Sequence, residues 1–326
     1  MRVSDDALAE VRSRGFVVIP GFLTAAEVAA AREALWLHYP RPEDYFADPP
    51  AYEWLAASQF AGLQLFPFRA WALSGLALHP SLVDAAERFL GTSDIELYKG
   101  ELWAKYSGAT DYDQAHHRDY GNHSLVVPRR DGWATQMTTF LLLSDVTEHD
   151  GPTCLIPREI GDAYPFTPRQ LAKGELVDAE IPALGPAGTL MIYTTDILHR
   201  ASTFGGPGRS RFALLADFAA RGRPWMGKMS WPGRALDPNM HEVLVRSSVR
   251  QRDLLGFPPP RSDYWNEQTL TDVAARWPGI DLTPYRTAAG GANGANGVGP
   301  TSHLTTSRLE GAGEAAVVGE HGLEAR

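Results

Sequence analysis

Apolar residues in the first ninety positions recur at helical spacing. From about residue 94 the period shortens to the alternation of short strands. Thr24-Ala-Ala-Glu27 is a capping box opening an Ala-rich run with Val28, Ala31 and Leu35 on one face. A second helix is predicted to begin after Pro80, to carry Leu82, Val83, Ala86, Phe89 and Leu90, and to stop at Gly91. Between them, Tyr39 to Phe68 is rich in proline and aromatic residues without a clear period, which suits either a lid or a packed irregular loop. The β-like runs are Ile95–Tyr98, Glu101–Tyr106, Ser124–Val127, Gln136–Leu143, Thr153–Ile156, Leu176–Ile181, Thr189–Tyr193 and Arg211–Phe218. Short strands at that spacing, broken by Asp-Gly, Gly-Pro and Pro-Gly-Arg turns, predict a mainly β fold: an antiparallel barrel or jelly roll with flanking α-helices.

Composition narrows the class. At 326 residues, 44% hydrophobic and 21% charged, the chain has the make-up of a globular protein with a large core. After Tyr285 no aromatic residue occurs, and the Gly/Ala/Asn-rich run that follows cannot bury enough apolar surface to offset its ordering entropy. Residues 287–326 are therefore expected to be a disordered tail and 1–286 a single catalytic-sized domain. Thirty basic against 39 acidic residues give a formal charge of −9, which speaks against nucleic acid as a partner. The single cysteine, Cys154, a polar N-terminus and the lack of a long apolar run lead us to expect a cytoplasmic protein that does not span a membrane.

The chemistry-bearing pattern begins at Gln114-Ala-His-His-Arg-Asp-Tyr120. In an extended segment His117 and Asp119 point to the same side, so an imidazole and a carboxylate can bind one ion together, while His116 and Arg118 point away. Alone, a His-x-Asp pair often arises by chance. Eighty positions after Asp119, however, the apolar run Thr189–Tyr193 leads through a polar turn to His199. Two histidines and a carboxylate on facing strands form the facial triad of non-haem Fe(II) oxygenases, which leaves coordination positions open for a co-substrate and O₂. Arg211, early on the next strand, supplies a bidentate partner for a dicarboxylate. Arg209 shares its strand parity but sits in a Gly-Pro-Gly turn and is the second choice. Gln114 is a candidate co-substrate contact, His123 a candidate neighbour of the substrate, and Lys99 and Lys105 read as lysines that reach for solvent along their strands.

With these residues in place, the chain resembles the phytanoyl-CoA dioxygenase (PhyH)-like family of Fe(II)/2-oxoglutarate-dependent oxygenases. The resemblance rests on Arg14-Gly-Phe-Val-Val-Ile-Pro-Gly-Phe-Leu23 ahead of a helix, His117-Arg-Asp119, Leu141 to Pro157, His199 and Arg211, in order and at suitable spacing. Leu255 to Pro260 with Tyr264-Trp265 resembles the C-terminal segment of some bacterial members. It implies a double-stranded β-helix (jelly-roll or cupin-like) core and Fe(2+) held by His117, Asp119 and His199. It also implies 2-oxoglutarate and O₂ as co-substrates, with Arg211 on the C5 carboxylate, and hydroxylation of a small organic metabolite with release of succinate and CO₂. The retained Asp119 speaks against halogenation, which uses a small residue there.

Two departures stand out. Pro157-Arg-Glu-Ile160 replaces a Pro-Gly-Ser-His pattern expected to border the cavity, and Arg200-Ala201 replaces Gly-Ser, so a serine contact to the co-substrate is lost or moves to Ser202. The rival readings are a jelly-roll binding protein without turnover and an isomerase or hydrolase using Zn²⁺ or Mn²⁺ on the same ligands. For the substrate, the aromatic stretches Tyr45–Phe68 and Trp225–Trp231 suit a pocket for an apolar or ring-containing molecule or simply the core, and Arg129-Arg130 suits an acidic substrate or a solvated turn.

Overall fold

The computed structural model describes residues 2–120, 128, 136–166, 168, 170–222 and 237–290, with side chains to 286. Helix α1 (Asp5–Arg14) is capped by Ser4, whose hydroxyl accepts from the Ala7 N–H, and carries Asp5 and Asp6 at the positive end of its dipole. It ends at Gly15 with φ +95°, where a Cβ would fall 2.3 Å from Ile197 Cγ2, so only glycine permits this turn. Strand β1 (Phe16–Ile19) follows, then α2 (Ala25–Leu35), opened by the Thr24–Glu27 capping box in both its hydrogen bonds.

Helix α5 (Pro80–Leu90) matches the expected range and stops at Gly91 in the left-handed conformation. It lays Leu82, Val83, Ala86, Phe89 and Leu90 into the core; each large side chain contributes roughly 1.5–3 kcal/mol by leaving water. Before it, α3 (Pro42–Ala47), a 3₁₀ helix (Pro49–Ala56), β2 (Leu63–Leu65) and α4 (Trp71–Ala77) occupy the aperiodic stretch. That stretch is packed, since Tyr39, Tyr45, Leu55, Phe66 and Phe68 are all buried.

The remaining strands among the described residues are β3 (Ile95–Tyr106), β4 (Gln136–Leu142), β5 (Thr153–Leu155), β6 (Ile181–Pro182), β7 (Leu190–Tyr193), β8 (His199–Ala201) and β9 (Ser210–Ala220). They form two antiparallel sheets, one of six strands in the order β1-β7-β4-β9-β3-β2 and one of three in the order β6-β5-β8. The large sheet is covered on both faces. Outward, Leu102, Ala104, Leu141, Leu214, Ala216 and Phe218 share a core with helices α2, α4 and α5. Inward, Phe140, Leu142, Ala213 and Leu215 meet Leu155 of the small sheet. Double coverage explains why β4 is buried at every position and lacks polar alternation.

The structure departs from the sequence expectations in several places. Ile95–Tyr98 and Glu101–Tyr106 fuse into one strand, with an irregularity between Leu97 and Lys99 that absorbs the break in pattern. Leu176–Ile181 forms a 3₁₀ turn (Val177–Ala179) and only a two-residue strand, because Leu176 takes a positive φ of 64° that ends any extended run. Strands β1, β2 and β8 are additions, too short for a two-residue period to register. Helices are not confined to the N-terminal side: Pro238–Arg246, Val249–Leu254, Glu267–Arg276 and Thr283–Gly290 follow the sheets, and the last crosses the expected boundary at 286/287. There Trp265 donates to Pro259 O (2.9 Å) and packs 4.6 Å from the Tyr285 ring, so the Tyr264-Trp265 motif serves the helical packing. The expected strand Ser124–Val127, His123, Arg129-Arg130, Trp225–Trp231 and the tail beyond 290 lie outside the described residues. No helix among the described residues is long and apolar enough to cross a membrane.

Candidate metal centre

The segment Gln114–Tyr120 runs antiparallel to Thr195–Ala201. Gln114 N–H donates to Ala201 O (3.1 Å), Tyr120 N–H to Thr195 O (2.9 Å), and His117 and His199 exchange both backbone hydrogen bonds (2.9 and 3.0 Å). This pairing places the two imidazoles side by side, with ring centroids 4.6 Å apart. Asp119, two residues beyond His117, falls on the same side as the strand period requires. Its Oδ1 lies 3.6 Å from His117 Nε2 and its Oδ2 3.3 Å from His199 Nε2.

Ligand atoms of the three side chains lie within 4.8 Å of one another, close enough to share one ion. Nδ1 of His117 lies 3.0 Å from Ala115 O, and Nδ1 of His199 lies 3.3 Å from Ile197 O. A backbone carbonyl at Nδ1 keeps the proton there, which turns the Nε2 lone pairs toward Asp119 and a metal. Tyr193 donates to Asp119 Oδ2 (3.2 Å) and orients the carboxylate. Burial works against a charge on His199, yet the facing Asp119 outweighs it and raises the His199 pKa. An anionic carboxylate between two inward lone pairs is a donor set suited to a divalent cation.

The residues on the opposite side of these strands hold them in place. Arg118, fully buried, donates to the carbonyls of Asp196, Gly161, Tyr164 and Pro165. Glu180 Oε1 lies 3.0 Å from His116 Nε2, and Glu180 accepts from Arg200, so it touches the chain neighbours of both histidines. His116 and Arg118 do point away from Asp119, as the alternation demands.

A cavity of about 890 Å³ opens over the site and is lined by His117, Asp119, His199, Arg211 and Gln114, with Phe140 and Leu215 as apolar wall. Gln114 Oε1 accepts from Ala201 N–H (3.1 Å), which leaves its amide N–H₂ for a ligand. Arg211 is buried and donates to Gly151 O; no carboxylate among the described residues forms an ion pair with it. Burial lowers its pKa. Arg209 instead pairs with Asp150 at 2.8 Å, outside the cavity lining, which leaves Arg211 as the arginine of the site. A larger groove of about 1000 Å³ beside α2 carries no such donor set.

Of the two departures from the family pattern, the first lies off this cavity, whereas the second places the Ala201 methyl in its lining where the family pattern has a serine. Residues 157–160 do not line it; Arg158 pairs with Asp196 and donates to Thr194 Oγ1 (2.9 Å). The Ser202 hydroxyl donates to Pro152 O (2.7 Å) and also stays outside.

The two lysines read as solvent-seeking are corrected by the structure. Lys105 is 1% exposed, donates to Ser202 O (2.8 Å), and stands cross-strand from Arg211. Lys99 lines the cavity and pairs with Asp217 (3.3 Å) and Glu101 (3.4 Å). The signal for them was present: Lys99, Glu101, Trp103 and Lys105 share one side of β3 by alternation, as Arg211 and Asp217 share one side of β9. A polar stripe of that kind ordinarily faces water. Here it faces the interior between the sheets.

The chain resembles the solved structures of the non-heme α-ketoglutarate-dependent epimerase SnoN of nogalamycin biosynthesis (21% identity, 66% of this chain and 81% of that one, TM-score 0.46) and HygX from Streptomyces hygroscopicus with nickel and 2-oxoglutarate bound (17%, 68% and 89%, 0.48). It also resembles the apo form of EctD from S. alaskensis (18%, 70% and 84%, 0.49). No curated protein sequence matches the chain. The sequence profile of the family "Phytanoyl-CoA dioxygenase (PhyH)" matches residues 11–213, which include His117, Asp119, His199 and Arg211. The chain belongs to the phytanoyl-CoA dioxygenase (PhyH) family.

Proposed function

We propose that the protein is an Fe(II)/2-oxoglutarate-dependent oxygenase that hydroxylates a small organic molecule. The observation that carries this reading is the conjunction, in one cavity, of a two-histidine-one-carboxylate cluster with a buried arginine that has no carboxylate partner among the described residues. His117, Asp119 and His199 would hold the metal through Nε2, a carboxylate oxygen and Nε2. Three ligands on one side leave the other side open. Arg211 would anchor the far carboxylate of 2-oxoglutarate, with Gln114 offering its amide N–H₂ nearby. Iron with 2-oxoglutarate and O₂ supplies oxidative decarboxylation to succinate and CO₂, coupled to removal of hydrogen from a C–H bond. Phe140 and Leu215 present apolar surface beside that region, and Tyr193 holds Asp119 against rotation. We read the two facing antiparallel sheets as a double-stranded β-helix, with residues 1–286 as the catalytic unit.

The test is conversion of 2-oxoglutarate to succinate by the purified protein under Fe(II) and O₂, followed by NMR. Wild type should form succinate even without prime substrate, and His199→Ala should neither bind Co(II), read from its visible absorption, nor turn over. Full activity in both His199→Ala and Arg211→Ala would contradict the assignment. Activity with Zn²⁺ and without O₂ would instead favour a hydrolase or isomerase on the same ligands.

A further inference from the structure

Beside the metal cluster, the cavity wall is formed by one side of β3: Lys99, Glu101 and Trp103, each two residues from the next. Lys99 and Glu101 form an ion pair (3.4 Å) backed by the fully buried Asp217, and Glu101 Oε2 also accepts from the Trp103 indole N–H (3.0 Å). Their side chains keep 18% and 12% of their exposure, so both are largely dry yet still reach the cavity space. At the mouth Phe60, 48% exposed, stands edge-on to Trp103 with centroids 5.8 Å apart and lies 6.5 Å from Tyr112.

An alkyl chain laid along this wall would remove the remaining water from the ion pair and return no hydrogen bond, which is costly for partly buried charges. A hydroxyl or carbonyl replaces that water on either partner. The aromatic trio offers faces and edges that favour a flat ring. Lys173, the other lysine of the lining, is paired with Asp113 at 3.0 Å, and the Arg211 end is taken by the co-substrate under the function proposed above.

We infer that the prime substrate is a ring-bearing molecule with hydroxyl or carbonyl groups, read by Lys99 and Glu101 and held by Trp103 and Phe60, and not a saturated acyl chain. This rests on the oxygenase reading of the site and adds a substrate class to it.

The full chain loaded with Ni(II) and 2-oxoglutarate, which does not turn over, is titrated calorimetrically with 2,6-dihydroxynaphthalene, naphthalene, decanoate and palmitoyl-CoA. The diol should bind at least about tenfold more tightly than each of the other three. Phe60→Ala, at a half-exposed position where the fold is not at risk, should weaken the diol about tenfold and leave 2-oxoglutarate affinity unchanged. Glu101→Gln should bring the diol and naphthalene closer together in affinity. Failure of the diol to bind, binding of decanoate or palmitoyl-CoA at equal or higher affinity, or a diol indifferent to both substitutions would overturn the inference. Heat from 2-oxoglutarate binding, measured in the same cell, shows separately whether the metal and co-substrate reading stands; its absence would remove both.

Discussion

Two lysines six residues apart on β3 face the same interior, and their surroundings differ in one respect. Lys99 stands opposite Asp217 and beside Glu101, whereas Lys105 stands opposite Arg211. At the first end the carboxylates outweigh burial and raise the Lys99 pKa, so the ammonium stays charged. At the second, burial and then the Arg211 charge push Lys105 down to about 7. Gly151 closes this end with φ +58°; a Cβ there would lie 2.8 Å from Ser202 O and 3.4 Å from Lys105 Nζ. One end is thus internally compensated, and the other carries positive charge with no carboxylate among the described residues in an ion pair with it. A second positive charge beside buried Arg211 is costly in the free protein, so Lys105 gives up its proton near neutral pH; an anion would relieve that cost, which is where the proposed dicarboxylate co-substrate belongs.

Breaking the compensated end should have the largest effect. Lys99→Met leaves Asp217 and Glu101 without their cation and should lower stability by about 3–5 kcal/mol, read from urea unfolding. At the uncompensated end, Arg211→Met should leave the stability of the ligand-free protein unchanged or higher. It should weaken 2-oxoglutarate by about 100-fold in calorimetry. If Arg211→Met instead destabilises the free protein as strongly as Lys99→Met, the contrast fails.

The Lys105 end also has a pH signature. Between about pH 7 and the ordinary lysine value of 10.5 the unfolded chain holds a proton that the folded chain has released. Stability should therefore rise with pH across that window, with a slope approaching about 1.4 kcal/mol per pH unit, and Lys105→Met should flatten it. The same group should take up a proton when a dicarboxylate binds near pH 8, seen as a buffer-dependent heat. The smallest effect is expected at Tyr193→Phe, which removes one hydrogen bond to Asp119 and should weaken Co(II) binding by up to about tenfold.

Much of the site was legible before the fold. His117 and Asp119 at a spacing of two, and His199 after an apolar strand, name the candidate ligands that the structure brings together, because alternation places i and i+2 on one side wherever the strand lies. Helices α2 and α5 were equally legible, since their caps and apolar spacing are local. The 3₁₀ turn at Val177–Ala179 was not, because Leu176 adopts a positive φ that its residue type does not announce. Nor were β1, β2 and β8, which exist only through partners distant in the chain.

The sequence by itself determined the candidate donor set, the order of the motifs and which residues share a strand face, all consequences of short-range geometry. Only the tertiary structure decided which side of each face is the interior. It set Arg211 in the cavity and Arg209 outside it, made Lys99 and Lys105 buried charges, and took Ser202 and residues 157–160 off the cavity. The reason is that alternation is symmetric: a polar stripe reads the same toward water as toward an enclosed ionic cavity, until sheet pairing and helix packing close one side.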